Sequence, residues 1–175
     1  MISFFFNTWY IYYGEFMIRK MIKFLLVILC MVFIFSLSSE NDVKSTKRSD
    51  SVIVHTAEFF LGRKLTKAEH EKYIDKFVYV VRKSAHFCLY GLLGFLMISF
   101  LCELYHYNKR LLWITILLVF CYALSDEIHQ LFVSGRSGEA FDVLIDTIGG
   151  FCGIKIYRFF DWIRRRRYEQ KKAVS

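Results

Sequence analysis

The sequence predicts an all-α integral membrane protein, with four transmembrane helices and a long outer loop between helices one and two. Three observations carry that prediction. The 175 residues are 55% hydrophobic and contain no proline. The apolar residues fall in blocks, "FLLVILCMVFIFSLSS" (Phe24–Ser39), "SAHFCLYGLLGFLMISFLC" (Ser84–Cys102), "LLWITILLVFCYALS" (Leu111–Ser125) and "VLIDTIGGFCGIKIYRFF" (Val143–Phe160). Basic residues flank both ends of this region, within a formal net charge of +8.

A spanning helix needs about 20 mostly apolar residues, with a range of roughly 17–25. The second block meets this outright, and the first meets it if Lys20 and Lys23 extend to the headgroups. The third and fourth meet it when their charged ends lie in the membrane or at its interface. The expected helices are therefore about 20–39, 84–102, 111–132 and 142–162. A soluble bundle of four buried helices is the competing reading.

Residues 1–19 form an aromatic extension, "MISFFFNTWYIYYGEF" followed by basic residues, and Met17 or Met21 is an alternative natural start. An interfacial aromatic belt is the other reading of this stretch. A cleavable signal peptide over Lys20–Ser39 is disfavoured, because no small-x-small site closes the run. The membrane domain then covers 20–162, and 163–175 is a basic tail.

Basic residues near helix ends set orientation. Arg19, Lys20 and Lys23 precede helix one, and Arg164 to Arg167, Lys171 and Lys172 follow helix four. Both termini are expected in the cytoplasm, with the protein in the cytoplasmic membrane. Lys109 and Arg110 in the link between helices two and three agree. The lysine-rich loop from Glu40 to Lys83 falls outside, where its length weakens the rule. Its first part, "SSENDVKSTKRSD", is polar and expected to be mobile. Its second part has helical spacing, with Thr66 and Glu69 as a capping box. The arginine run abuts a helix end, so it reads as a topology anchor, with anionic lipid a secondary partner and nucleic acid not expected. Cys30, Cys88, Cys102, Cys121 and Cys152 are odd in number and lack a CxxC pair, which argues against disulfides or a zinc site.

The chemistry lies where the apolar blocks end. Arg82, His86 and Tyr90 are spaced i, i+4, i+8 and share one helical stripe. Asp126, His129 and Gln130 share another, with Glu127 about a quarter-turn away, and Asp142 and Asp146 a third. In the expected topology all three stripes, with Lys83 and Arg136, meet at the outer membrane face. A charge at mid-membrane costs at least about 2.5–3.5 kcal/mol on insertion scales, so such a group must pair internally, with water or with a ligand. Structural pairing of Arg82 or Arg136 with Asp126 or Asp142 competes with a reactive site, and Asp142 also suits a helix N-terminus. Gly91, Gly94, Gly149, Gly150 and Gly153 suit close helix approach.

"RKSAHFCLYGLLGF", followed by "SDEIHQLFVSGRSGEAFDVLIDTIGGFCG", resembles the VanZ-like family of small bacterial membrane proteins, over Arg82 to Gly153 and more loosely over helix one. The resemblance implies an association with low-level resistance to the glycopeptide teicoplanin, without naming a reaction. Asp146 departs from the Asn expected there in many members, and the outer loop is longer and more charged. Three functions follow. The first is a binding protein for a cell-envelope component such as a lipid-linked cell-wall precursor or a glycopeptide, with Arg82, Lys83, His86, Tyr90, Gln130, Arg136, Asp142 and Asp146 as ligand-binding residues. The second is a membrane-embedded hydrolase or transferase on a lipid-linked substrate, with His86, Asp126, Glu127 and His129 as catalytic candidates and a divalent cation as cofactor. A small transporter is the third, disfavoured because no inverted repeat is visible. The oligomeric state is not specified by the sequence.

Overall fold

A computed structural model describes the backbone of residues 2–64, 66–105, 107–136 and 138–174, and side chains outside 2–13, 15, 42, 48, 67–76 and 174. The described chain forms α1 (Ile2–Ser38), α2 (Asp42–Leu61), α3 (Lys67–Leu104), α4 (Lys109–Gln130) and α5 (Ala140–Val174). The side chains of the first thirteen residues, and Glu69 of the expected capping box, lie outside the described residues.

Among the described residues, three segments are long and apolar enough to cross a membrane: Phe16–Ser38, Phe77–Leu104 and Lys109–Gln130. The fourth expected span lies within α5 and is helical. Asp142, Asp146, Lys155, Arg158 and Asp161 make it less apolar than the others. Residues 163–174 continue this helix as its basic end.

The long segment between helices one and two is largely helical, as the spacing of its second part predicts, and its polar first part, expected as mobile loop, is helical from Asp42 as well. Asn41 caps α2, its Oδ1 accepting a bond from the Lys44 N–H at 3.0 Å, and satisfies a backbone donor that would otherwise lack a partner. The helix then runs to Gly62, which takes a left-handed conformation (φ 65°) and donates its N–H to the Glu58 carbonyl. Ser45 and Ser49 lie one turn apart on the buried side of α2. The second apolar block is the end of a longer helix, since α3 begins at Lys67 rather than near 84.

The bundle is built on an intimate pairing of α3 with α5. A Cβ added at Gly94 or Gly153 would run into the backbone of Gly150 or Gly91, respectively. A Cβ at Gly91 would lie 3.4 Å from the Gly149 carbonyl oxygen. The glycines expected to permit close approach therefore sit at one crossing, where backbones touch without intervening side chains. Around it, Val27, Cys30 and Ile34 of α1 pack on Tyr90, Leu93 and Met97 of α3, Val119 and Ala123 of α4, and Val143 of α5. The opposite surface of α1 is also apolar and exposed, including Leu25, Leu29, Val32 and Phe33. An apolar exterior around a packed interior is what a lipid solvent selects, because lipid tails impose no penalty on exposed leucine.

Two polar clusters mark the ends of the bundle. At one end Lys23 of α1 pairs with Glu103 of α3 at 2.5 Å, with Arg19 at 3.7 Å from the same carboxylate. At the other end the C-termini of α1 and α4 meet the N-terminus of α5, and the candidate site is there.

Candidate functional site

A cavity of about 290 Å³ opens at this second end. Its walls are Tyr79, Arg82, Lys83 and His86 of α3, Gln130 at the end of α4, Arg136 and Glu139 of the α4–α5 loop, and Asp142, Ile145 and Asp146 of α5. A smaller cavity of about 110 Å³ shares Arg82, His86 and Arg136 and is closed by Ser45, Ser49 and Val52 of α2.

The apolar stripes that bury these helices carry the polar side chains inward. On α4 the buried face runs Leu111, Thr115, Val119, Ala123, then Asp126, Glu127 and Gln130. Asp126 is 2% exposed, and its Oδ2 accepts from Ser38 Oγ at 2.7 Å and from Gln130 Nε2 at 3.4 Å. Asp146 is equally buried at 2% exposure and lies 3.6 Å from His86 Nδ1. His86, Asp126 and Asp146 each place a donor atom within 4.8 Å of the others. Tyr90 is fully buried, its ring 6.4 Å from that of His86 and its hydroxyl on the side of Asp126 and Asp146. Neither Tyr90 Oη nor Asp126 Oδ1 makes a well-formed hydrogen bond among the described residues. Tyr122 is satisfied differently, donating to the Met31 carbonyl at 2.6 Å.

The cations are partnered in distinct ways. Lys83 pairs with Asp142 and, at 3.2 Å, with Glu139, and its ammonium also lies over the Tyr79 ring at 4.8 Å. Arg136 reaches across to the end of α1, where Nε donates to the Glu40 carbonyl at 2.9 Å and Nη2 to the Leu37 carbonyl at 3.1 Å. Its Nη1 donates to Gln130 Oε1 at 3.2 Å, which orients that amide toward Asp126. Carbonyls at a helix C-terminus lack partners within the helix, so Arg136 serves as their cap.

Two residues expected at the site face elsewhere. Glu127 is buried, and its Oε1 accepts the Glu139 backbone N–H at 2.6 Å, next to the start of α5. A carboxylate there is favoured by the positive end of the helix dipole. His129 stacks on Phe35 of α1, with ring centroids 4.3 Å apart. Its Nε2 lies 3.1 Å from Ser39 Oγ. Because that hydroxyl donates to the Phe35 carbonyl at 2.7 Å, Nε2 is the donor to it. Asp126 and Gln130 share the interior side, while His129 turns toward α1. Ser38 and Glu139 belong to the site's network and were not expected. An acid three residues before Asp142, within reach of α5's first turn, was the available signal for Glu139.

Comparison with known proteins fits this architecture. A search of curated proteins returned no match, and neither did a search of solved structures. The VanZ/LLP1 family model matches residues 22–161, which takes in α1 from its apolar part onward, the whole cavity and the crossing of α3 with α5. With three helices able to cross a bilayer and this match over most of its length, the chain is a multi-pass membrane protein that belongs to the VanZ/LLP1 family.

Proposed function

We propose that the cavity binds the phosphate-bearing headgroup of a cell-envelope lipid, at the outer face of the cytoplasmic membrane. The observation that carries this reading is a charged cavity, with Arg82, Lys83 and Arg136 in its walls, built where the apolar surface of the bundle ends. Headgroups lie at that depth, and guanidinium and ammonium groups are the usual recognisers of phosphate. Lys83 has three donors, of which Asp142 and Glu139 take two. In this reading the apolar part of α5 is a fourth crossing, both termini are cytoplasmic, and a lipid-linked cell-wall precursor is the natural ligand class. Teicoplanin tolerance would follow from engagement of such a precursor.

The binding test uses the chain in nanodiscs and farnesyl pyrophosphate as a short lipid-linked pyrophosphate. Wild type binds, and Arg82→Ala with Lys83→Met lowers affinity at least tenfold; equal affinity removes the headgroup reading. For orientation, alkaline phosphatase fused after Ser175 should be inactive, and inserted after Gly62 active. The cellular readout is teicoplanin susceptibility of a deletion strain complemented with wild type or with Arg82→Ala, at matched membrane levels.

A further inference from the structure

Two carboxylates at the cavity end of the bundle are buried to 2% exposure, Asp146 in the cavity wall and Asp126 beyond it, with an oxygen within 4.8 Å of one on Asp146. The donors to Asp126 Oδ2 are the neutral Ser38 hydroxyl and Gln130 amide, and its second oxygen, Oδ1, makes no well-formed hydrogen bond among the described residues, with the neutral Tyr90 hydroxyl on its side. Asp146 has His86 beside it at 3.6 Å. Burying an ion without a compensating charge costs several kcal/mol even after relaxation. Lys83 makes its direct ion pairs with Asp142 and Glu139 rather than with either of these carboxylates.

We infer that His86, Asp126 and Asp146 form a binding site for one divalent cation, with its remaining coordination positions facing the cavity. The three donor atoms lie within 4.8 Å of one another. Ligands of one ion at about 2.0–2.2 Å stand roughly 3–4 Å apart, so closure needs side-chain shifts of up to about an ångström. One imidazole nitrogen with two carboxylate oxygens suits Mn²⁺ or Zn²⁺, and the buried Asp126 oxygen that makes no well-formed hydrogen bond is the atom such an ion would take up. Ser38 and Gln130, bonded to Oδ2, hold that carboxylate in orientation as outer partners of a metal ligand do. The three come from α3, α4 and α5, so the ion would tie the helices together at one point. This site shares the cavity proposed for a headgroup but does not depend on that reading.

The test takes full-length protein in dodecyl maltoside, which carries no phosphate, strips it with EDTA, and titrates MnCl₂ or ZnCl₂ alone. Free Mn²⁺ is followed by its paramagnetic resonance signal and bound Zn²⁺ by elemental analysis. One ion per chain is expected for wild type and for His129→Ala, which lies away from the cluster. Asp126→Asn and Asp146→Asn should each weaken binding at least tenfold, and the bound ion should raise the Tm of wild type but not of His86→Ala. A wild-type chain that takes up neither ion with stoichiometry overturns the site, as do aspartate variants that bind like wild type. Cation binding that persists when farnesyl pyrophosphate fails to bind removes the headgroup proposal and leaves this site standing.

Discussion

Ser38, the last residue of α1, donates a hydrogen bond of 2.7 Å to the carboxylate of Asp126 near the end of α4. Both side chains are buried, and 88 positions separate them in sequence. The bond joins the first helix to the buried polar cluster of His86, Asp126 and Asp146. Ser38→Ala should lower stability by about 1–3 kcal/mol, because it withdraws a donor from a buried acceptor. Ser38→Thr keeps the hydroxyl and should lose less. Thermal unfolding in detergent measures both.

Gly153→Ala should be the most damaging glycine substitution, because its Cβ would meet the Gly91 backbone at the α3–α5 crossing. Overpacking of this kind costs typically about 1–3 kcal/mol. Gly14→Ala is the contrast, since nothing among the described residues lies within 4 Å of a Cβ there. Equal melting temperatures for the two variants would contradict the crossing.

Arg136→Ala should release the end of α1 from the α4–α5 loop, because three bonds to Leu37, Glu40 and Gln130 are lost together. Amide hydrogen exchange should accelerate at residues 38–41 and around Gln130, with little change near Lys23 at the far end. Arg136→Lys should behave more like the alanine variant than like wild type, since an ammonium cannot reproduce the planar fork.

His129→Ala and His86→Ala should separate cleanly. His129 stacks on Phe35 and lies outside the cavity, so its loss should lower stability and spare farnesyl pyrophosphate binding. His86 lines the cavity beside Asp146, so its loss should reduce ligand binding with a smaller effect on the fold. Paired titration and melting curves on both variants test this.

Much of this arrangement is legible in the sequence, for definable reasons. The stripe of Arg82, His86 and Tyr90 lies on the buried side of α3, and Asp142 with Asp146 lies on the cavity side of α5. Spacing yields the phase of a residue around its helix, and at these positions that phase points into the bundle. On α4 it does not suffice. His129 and Gln130 are adjacent and about 100° apart, so α1 claims one and the cavity the other. The first half of α2 escaped because its buried residues, Ser45 and Ser49, are polar, and hydropathy does not mark a stripe of serines. Ser38 and Glu139 escaped because their roles come from partners distant in the chain, Asp126 and Lys83. The ionic character of α5 separates it from the three more apolar helices by composition alone.

The backbone crossing of α3 and α5 has a mechanical consequence for whatever occupies the cavity. Both helices line it, and they are pinned together below it at Gly91, Gly94, Gly149, Gly150 and Gly153, with no compressible side chains between. That half of the cavity is a fixed jaw. The opposing half is the α4–α5 loop, held by Arg136 to the end of α1. A guest too large for the space would have to push against this tether, so its size would be registered as tension on the first helix rather than as spreading of the bundle.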